Sequence, residues 1–188
     1  MLDEPSKHVL LQETLDKVSE WTKLWVIALN EEKCKVLHFG DQNPHYKYTL
    51  NGIDIKEADA ERDLGILFTC DLKWSTHINS CVNKANSTLG LIKRTFKYHN
   101  AETISRLYKT FVRPQLEYGV QVWMPTLKKD TDNIESVQRR ATKLIPHLRK
   151  LSYNQRLEKL NLTTLKVRRI RGDLIQMFKF SKGLHKIN

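Results

Sequence analysis

The amino-acid sequence predicts an α+β fold, with an N-terminal helix and short antiparallel strands that include a hairpin, followed by an all-helical bundle. Three observations support this. Apolar residues recur at helical spacing near the N-terminus, Asn51-Gly52 separates two short β-prone runs, and beyond Ser75 the apolar spacing is only three and four. We therefore predict two parts, residues 1–70 with the strands and residues 71–188 with the bundle.

The N-terminal part opens with a helix predicted over residues 6–29. Its buried face is expected to hold six apolar residues, Leu11, Leu15, Val18, Trp21, Trp25 and Ala28. Short strands are predicted over residues 35–39 and 63–68. Between them, Tyr46–Leu50 and Ile53–Ile55 flank Asn51-Gly52, the dipeptide that best suits a two-residue hairpin turn.

The C-terminal part opens with a helix from Ser75. Its buried face is expected to hold Ile78, Val82, Ala85, Leu89, Ile92 and Phe96. A second helix is predicted to begin near Asn100, to kink at Pro114, and to continue through Leu116, Val120 and Trp123 to just before Pro125.

Three more helices complete the predicted bundle. One covers residues 130–148, with Ile134, Val137, Ala141, Leu144 and Ile145 facing inward. Ser152 is expected to cap the next helix, and either Thr163 or Thr164 the last, which runs to about Ser181.

Composition limits the class of protein. The chain has 188 residues, 40% of them hydrophobic and 28% charged, which suits a folded globular protein. The longest apolar run, Leu24–Leu29, is too short to span a bilayer, and no basic and apolar leader opens the chain. Its three cysteines show no C-x-x-C spacing. We expect no membrane partner, no disulfide framework, and an intracellular location, cytoplasmic or nuclear.

Charge is distributed unequally between the two halves. Residues 1–94 contain 12 Lys and Arg against 14 Asp and Glu, a balance of −2. Residues 95–188 hold the remaining 20 basic against 7 acidic residues, a balance of +13. Such an asymmetry suggests a surface for nucleic acid or an acidic membrane, although a solvated basic helix face would give the same count.

The basic residues concentrate between Arg139 and Arg171, where Glu158 is the single acidic residue. Arginine suits phosphate because its planar guanidinium donates paired hydrogen bonds and stays charged. The residues expected to contact nucleic acid are Arg113, Arg139, Arg140, Lys143, Arg168, Arg169 and Arg171. Some of them could instead pair with acidic side chains or helix ends. No motif that reads bases is present, so contacts to the sugar-phosphate backbone would dominate.

Catalytic and metal-binding motifs are not found in the sequence. It contains no Asp-Asp pair, and Asp130-x-Asp132 is interpreted as the acidic start of a helix. The seven histidines lack the spacing of metal-binding motifs, and His77 is interpreted as structural. We predict no metal site, no catalytic residue and no small-molecule substrate.

Several segments resemble the reverse transcriptases of jockey-like non-LTR retrotransposons, in the same order along the chain. In the first half they are Trp21-x-x-x-Trp25, Asn30-x-x-Lys33 continuing to Gly40, Asp63-Leu64-Gly65-Ile66, and Asp71-Leu72-Lys73-Trp74-Ser75-x-His77-Ile78. In the second half they are Lys84–Arg94, Leu107-Tyr108-Lys109, Val112–Tyr118, Gln138–Lys143 and Arg168–Leu174. The resemblance covers nearly the whole chain.

The resemblance implies the end of a polymerase palm in residues 1–70, with the hairpin as a primer-grip element, and thumb and connector helices beyond it. The metal-binding aspartates of the family would lie upstream of Met1, so Mg²⁺ is expected only in an intact polymerase and this chain should have no cofactor of its own. Lys33 matches a lysine thought to protonate the leaving pyrophosphate, and is a candidate vestigial proton donor. The implied partner is an RNA or DNA duplex backbone.

Two functions follow as hypotheses. In the first, the chain is a part of an RNA-directed DNA polymerase that does not polymerise by itself and keeps sequence-independent binding to the template–primer. In the second, it is a small helical protein-interaction or structural protein with no nucleic-acid role. A separate chain that carries the aspartates could also complete an enzyme.

Overall fold

The computed structural model describes residues 5–184, with side chains from residue 7 onward. It confirms the α+β class, with an N-terminal helix, short strands in small sheets, and then helices. The chain divides into two compact units between Lys73 and Trp74. Among the described helices, none has both the length and the apolar character needed to cross a membrane.

From residue 5 onward, the first unit combines one long helix with six short strands. Its elements are α1 (Pro5–Leu24), a 3-10 turn (Glu31–Lys33), β1 (Lys35–Val36), β2 (Thr49–Leu50), β3 (Ile53–Asp54), β4 (Lys56–Glu57), β5 (Ala60–Asp63) and β6 (Ile66–Thr69). The strands form three separate pairs. Two pairs are antiparallel hairpins, but β1 pairs with β4 in parallel, contrary to the antiparallel expectation, with Val36 opposite Glu57.

The face of α1 that packs inward differs from the prediction. The Gln12 amide forms hydrogen bonds of 2.9 and 3.0 Å with the backbone N–H and carbonyl of Thr49 on β2, which fixes the rotation of the helix. Ser19 and Thr22 are buried as a result, and their hydroxyls donate to carbonyls of the same helix. The predicted core residues Leu11, Val18, Trp21, Trp25 and Ala28 are all exposed, and Leu15 is half-buried.

Helix α1 also ends earlier than predicted. The Ile27 N–H donates to the Thr22 carbonyl at 2.9 Å and the Val26 N–H to the Lys23 carbonyl at 3.2 Å, a pattern that closes the helix. Val26 adopts a positive φ of 55° at this point. A β-branched residue rarely takes that conformation, so the sequence carries no signal for this helix end.

The Asn51-Gly52 hairpin is confirmed. Strands β2 and β3 pair around it, with Leu50 opposite Ile53, and both turn residues have positive φ, 53° and 76°. A second two-residue turn at Leu64-Gly65 joins β5 to β6, so the single strand predicted over residues 63–68 is wrong. Leucine at a φ of 45° is uncommon, which explains why this turn was missed.

Up to residue 184, where the description of the chain ends, the second unit contains six α-helices. They are α2 (Ser75–Thr95), α3 (Ala101–Leu107), α4 (Arg113–Glu117), α5 (Lys128–Lys143), α6 (Tyr153–Lys159) and α7 (Leu165–Ser181). The predicted inward face of α2 is confirmed from Ile78 to Ile92, whereas Phe96 lies beyond the helix end and is exposed. Helix α5 ends at Lys143 rather than 148, because Pro146 opens a separate 3-10 turn (Pro146–Leu148).

The predicted interruption at Pro114 is a π-helical turn, Tyr108–Val112, between α3 and α4. The Arg113 N–H donates to the Tyr108 carbonyl five residues earlier, which accommodates a proline that has no N–H of its own. The helix does not continue to Trp123 as predicted, because α4 ends at Glu117 and turns follow. Val120 and Trp123 are still buried, on non-helical backbone.

Side-chain caps define the start of the last two helices. Thr164, not Thr163, caps α7 and accepts a hydrogen bond from the Val167 N–H. Ser152 caps α6 in a capping box, in which Ser152 and Gln155 each satisfy the other's backbone N–H. Both expected cap positions are therefore confirmed.

Replacing Ser152 by alanine is expected to lower the free energy of unfolding of the helical unit by about 1 kcal/mol, because the first turn of α6 loses its side-chain acceptor. Urea unfolding followed by circular dichroism measures the change. Ser87→Ala is the matched control, since the Ser87 hydroxyl only bonds a carbonyl one turn back within α2 and alanine suits a helix interior. A cost as large for Ser87→Ala would contradict the assignment of the cap.

Candidate nucleic-acid interface

The exposed side of α5 carries three of the predicted basic residues. The inward side of this helix holds Ile134, Val137 and Ala141, all buried. Arg139, Arg140 and Lys143 lie on the opposite, exposed side in the last two turns. Within residues 5–184 none of the three forms an ion pair with a carboxylate. Cations at this end of a helix also interact favourably with its dipole.

Neighbouring groups hold the two arginines in place. The Arg139 guanidinium carbon lies 4.1 Å from the centre of the Tyr153 ring, a cation–π contact with α6. The Arg140 Nη2 donates to the Ser136 hydroxyl at 3.0 Å. These contacts limit side-chain freedom without neutralising the charge, so both guanidiniums remain able to bind an anion.

Arg149 joins the same surface. Its Nε donates to the Lys143 carbonyl at 3.1 Å, because the 3-10 turn after α5 folds the chain back toward the helix end. We call Arg139, Arg140, Lys143 and Arg149 the α5 basic cluster. Arg149 was not among the predicted contact residues, because the helix was expected to continue to residue 148, and Pro146 is the signal that could have ended it earlier.

Arg113 and Arg168 instead share one carboxylate. Arg168 donates from Nε and Nη2 to the two oxygens of Glu117 at 2.5 and 3.0 Å, a bidentate pair that ties α7 to α4. Arg113 lies one helical turn before Glu117, with its Nε 3.7 Å from the same carboxylate. The hydrogen bonds to Glu117 raise the pKa of Arg168. Both charges are therefore partly compensated within the protein.

Arg169 is buried, with only 2% of its surface exposed, so its predicted place on the binding surface is wrong. It lies one turn after Leu165 on the inward side of α7, where both residues are enclosed. Burial lowers the pKa of Arg169, and its Nε and Nη1 have no hydrogen-bond partner among the described residues. Of the predicted α7 residues, Arg168 is half-buried and Arg171 is exposed.

A buried hydrogen-bond network holds α5, α6 and α7 together beneath the α5 basic cluster. Glu135 accepts a hydrogen bond from the Tyr153 hydroxyl and another, of 2.9 Å, from the Leu165 N–H at the start of α7. Gln138 accepts from the Tyr108 hydroxyl at 2.7 Å and donates to the Tyr153 oxygen at 2.9 Å. Burial, followed by the hydrogen bond to Glu135, raises the pKa of Tyr153, which stays neutral beneath Arg139.

Two residues of the family-like motifs serve the fold. Asp71 accepts hydrogen bonds from the Thr69 hydroxyl at 2.7 Å and the Lys73 N–H at 3.0 Å, and both lower the pKa of Asp71. The His77 ring is buried edge-on against Trp123, with 5.1 Å between ring centres. These positions stabilise a turn and a core contact.

Lys33 and a group of potential metal ligands both lie in the first unit. Lys33 is exposed at the end of a 3-10 turn, where its N–H donates to the Asn30 side chain at 3.1 Å. Over residues 5–184, the one group of three or more potential metal ligands is His38, His45 and Glu57. Two imidazoles and one carboxylate do not suit Mg²⁺, which prefers oxygen ligands. This group of ligands therefore does not fit the magnesium site of a polymerase.

Comparison with known proteins confirms the resemblance seen in the sequence: the chain is similar to part of the RNA-directed DNA polymerases of non-LTR mobile elements. It is 27% identical over 139 residues to the RNA-directed DNA polymerase from mobile element jockey of Drosophila melanogaster. It is 23% identical over 143 residues to the probable RNA-directed DNA polymerase from transposon X-element of the same species.

Both matches cover 72% of this chain and 15% of the relative, so the chain spans only a small part of the relatives' length. The jockey polymerase of Drosophila funebris is 24% identical over 132 residues, or 68% of this chain and 14% of that protein. No family model matches the chain. No solved structure matches it either.

Proposed function

We propose that this chain is a part of a retrotransposon RNA-directed DNA polymerase that binds the template–primer duplex through its sugar-phosphate backbone. The observation that carries the proposal is the α5 basic cluster, four exposed basic residues without a carboxylate partner among the described residues. Similarity to the jockey and X-element polymerases supports the origin. In this assignment residues 1–70 derive from the palm and residues 71–188 from the thumb and connector.

The geometry of the cluster suits phosphate rather than bases. Two guanidiniums and one ammonium occupy the last two turns of α5, and Arg149 extends the surface past its end. Guanidinium groups donate two parallel hydrogen bonds to phosphate oxygens, and a convex helix side of this kind tracks a backbone without reading sequence. Arg113 and Arg168 contribute less, because Glu117 already occupies them.

We further propose that the chain does not polymerise DNA by itself. Phosphoryl transfer in polymerases depends on two cations held close together, which neutralise charge as it develops in the transition state. The proposal is supported by the one group of three potential ligands among the described residues, His38, His45 and Glu57, whose two imidazoles do not suit Mg²⁺. Lys33 as a proton donor stays a prediction.

Binding to an RNA–DNA hybrid tests the proposal. We expect saturable binding to a hybrid of about 20 base pairs, with log K falling against log salt at a slope of about −4 to −5. The four residues of the α5 basic cluster and the exposed Arg171 supply the cations that contact phosphate. Replacing Arg139, Arg140 and Lys143 together by alanine should flatten the slope by about 3. Fluorescence anisotropy over a salt series gives both numbers.

The matched control replaces Lys17, Lys23 and Lys47, three exposed lysines of the first unit, by alanine. This variant loses the same formal charge, so a site-specific effect should leave its slope nearly unchanged. The proposal is overturned if folded protein shows no saturable binding at about 50 mM salt, or if both variants flatten the slope equally.

A second candidate, a helical protein-interaction role without nucleic acid, is favoured by one observation. Helix α7 exposes several large apolar side chains beyond its first turn, among them Leu174 at 62%, Met177 at 68% and Phe178 at 56% exposed. Contiguous exposed apolar surface of this kind typically marks a protein contact. A folded protein that fails to bind the hybrid would leave this role as the better assignment.

A further inference from the structure

A cluster of three potential metal ligands lies in the first unit, far along the sequence from the α5 basic cluster. His38 follows β1, His45 lies in the loop before β2, and Glu57 ends β4. The His38 Nε2 is 3.6 Å from Oε1 of Glu57, and the His45 Nδ1 is 3.4 Å from Oε2. All three ligand atoms lie within 4.8 Å of one another.

The fold brings these residues together by strand pairing. The parallel β1–β4 register places Val36 opposite Glu57, and His38 follows two residues later, so its side chain is on the same side of the strand. His45 has a positive φ of 54°, and its N–H donates to the Asn43 side chain at 3.1 Å, which turns the loop back toward Glu57. The His38 and His45 rings lie 4.5 Å apart.

His38 provides an independent reason to expect a ligand. Its side chain is only 7% exposed, and its Nε2 has no hydrogen-bond partner among the described residues, because the Glu57 oxygen at 3.6 Å is too distant. A buried polar nitrogen without a partner is costly, and nearly all such groups in proteins are satisfied. This nitrogen faces the other two ligand atoms.

We propose that His38, His45 and Glu57 bind a zinc ion, through Nε2, Nδ1 and a carboxylate oxygen. Zinc bonds of about 2.0–2.2 Å in tetrahedral geometry separate ligand atoms by about 3.3–3.5 Å. Each imidazole nitrogen lies close to that distance from one of the two Glu57 oxygens, His38 at 3.6 Å from Oε1 and His45 at 3.4 Å from Oε2. Two imidazoles and one carboxylate are ligands that suit zinc and exclude Mg²⁺ and Ca²⁺. The ion satisfies the His38 nitrogen.

His38, His45 and Glu57 line a cavity of about 200 Å³ that Asp41, Asp59 and Cys70 also line. The space accommodates a water molecule on the metal. Strands β1 and β4 have only two residues each. The ion would link the loop after β1 to this short strand pair. We assign it a structural role, separate from the magnesium chemistry of a polymerase.

Isothermal titration calorimetry of the full chain with Zn²⁺ at pH 7.5 tests the site. We expect one equivalent to bind. His45→Asn and Glu57→Gln should each weaken Zn²⁺ binding at least tenfold. Replacing residues that only support the ligands of a metal site already lowers metal affinity by about 10- to 100-fold. Both positions are exposed, and asparagine tolerates positive φ, so the fold should survive both changes.

The control is His147→Ala, an exposed histidine of the second unit that should leave Zn²⁺ binding unchanged. Cys70→Ser tests whether the thiol in the cavity is the main ligand. The proposal is overturned if no saturable uptake occurs, if His45→Asn and Glu57→Gln bind as tightly as the original chain, or if Cys70→Ser alone abolishes binding.

Discussion

Replacing Glu135 by alanine is expected to lower the free energy of unfolding of the helical unit by roughly 2–5 kcal/mol, because two buried donors lose their acceptor at once. The Tyr153 hydroxyl and the Leu165 N–H both donate to this carboxylate. Each donor left unsatisfied in the interior costs about 1–3 kcal/mol. The loss falls on the contact that fixes the start of α7 against α5.

The charge of Glu135 matters as well as its oxygens. Arg169 is buried on α7 without a hydrogen-bonded partner for two of its nitrogens, and the negative charge of Glu135 counteracts the effect of burial on the pKa of Arg169. Removing the negative charge of Glu135 therefore leaves the buried charge of Arg169 less compensated. Glu135→Gln keeps an oxygen acceptor and loses the charge, so its cost should fall between those of the original chain and Glu135→Ala.

Chemical denaturation with circular dichroism measures the global cost, and hydrogen exchange locates it. The amides of the first turn of α7 should lose protection in Glu135→Ala, whereas the β5–β6 hairpin of the first unit should exchange as before. A variant in which both regions lose protection equally would contradict the local role assigned to Glu135.

Local signals were the features that the sequence predicted well. Asn51-Gly52 determines its hairpin by backbone preference alone, and Ser152 determines its cap by one side-chain hydrogen bond. Helix α2 follows its apolar spacing because both sides of the pattern, apolar inward and polar outward, agree over five turns. In these cases a few neighbouring residues determine the local structure.

Features that depend on distant partners were missed. The rotation of α1 depends on Gln12 and Thr49, which are 37 residues apart, so the apolar stripe ending at Trp25 was assigned to the wrong side. Arg169 and Arg171 look equivalent in the sequence. Arg169, one turn after Leu165, is nevertheless buried, whereas Arg171 is exposed. The positive φ angles of Val26 and Leu64 could not be predicted from the sequence, because neither residue type favours that conformation.

The candidate binding surface follows the same division. Arg139, Arg140 and Lys143 were predicted to be exposed from helical spacing, and they are. The pairing of Arg113 and Arg168 with Glu117 could not be predicted, because it depends on how α7 packs against α4. The ligands His38, His45 and Glu57 lack motif spacing, and the β1–β4 pairing that assembles them is itself nonlocal.

Trp123 and Trp21 provide the sharpest test of the assigned core. Trp123→Ala is expected to lower the free energy of unfolding by about 3–5 kcal/mol, as for other buried aromatic side chains replaced by alanine. Trp123 is fully buried, contacts the His77 ring, and donates from its indole nitrogen to the Tyr118 carbonyl at 2.7 Å. Alanine removes the packing and the hydrogen bond together.

Trp21→Ala is expected to change the free energy of unfolding by about 0.5 kcal/mol or less, because substitutions on exposed surface seldom cost more. Its side chain is 53% exposed and contacts the Trp25 ring, which is itself exposed. Unfolding followed by circular dichroism avoids the loss of tryptophan fluorescence in both variants. A large cost for Trp21→Ala that grows with protein concentration would show that a second copy covers this side of α1, whereas a large cost at every concentration would place Trp21 in the core, as its helical spacing in the sequence first suggested.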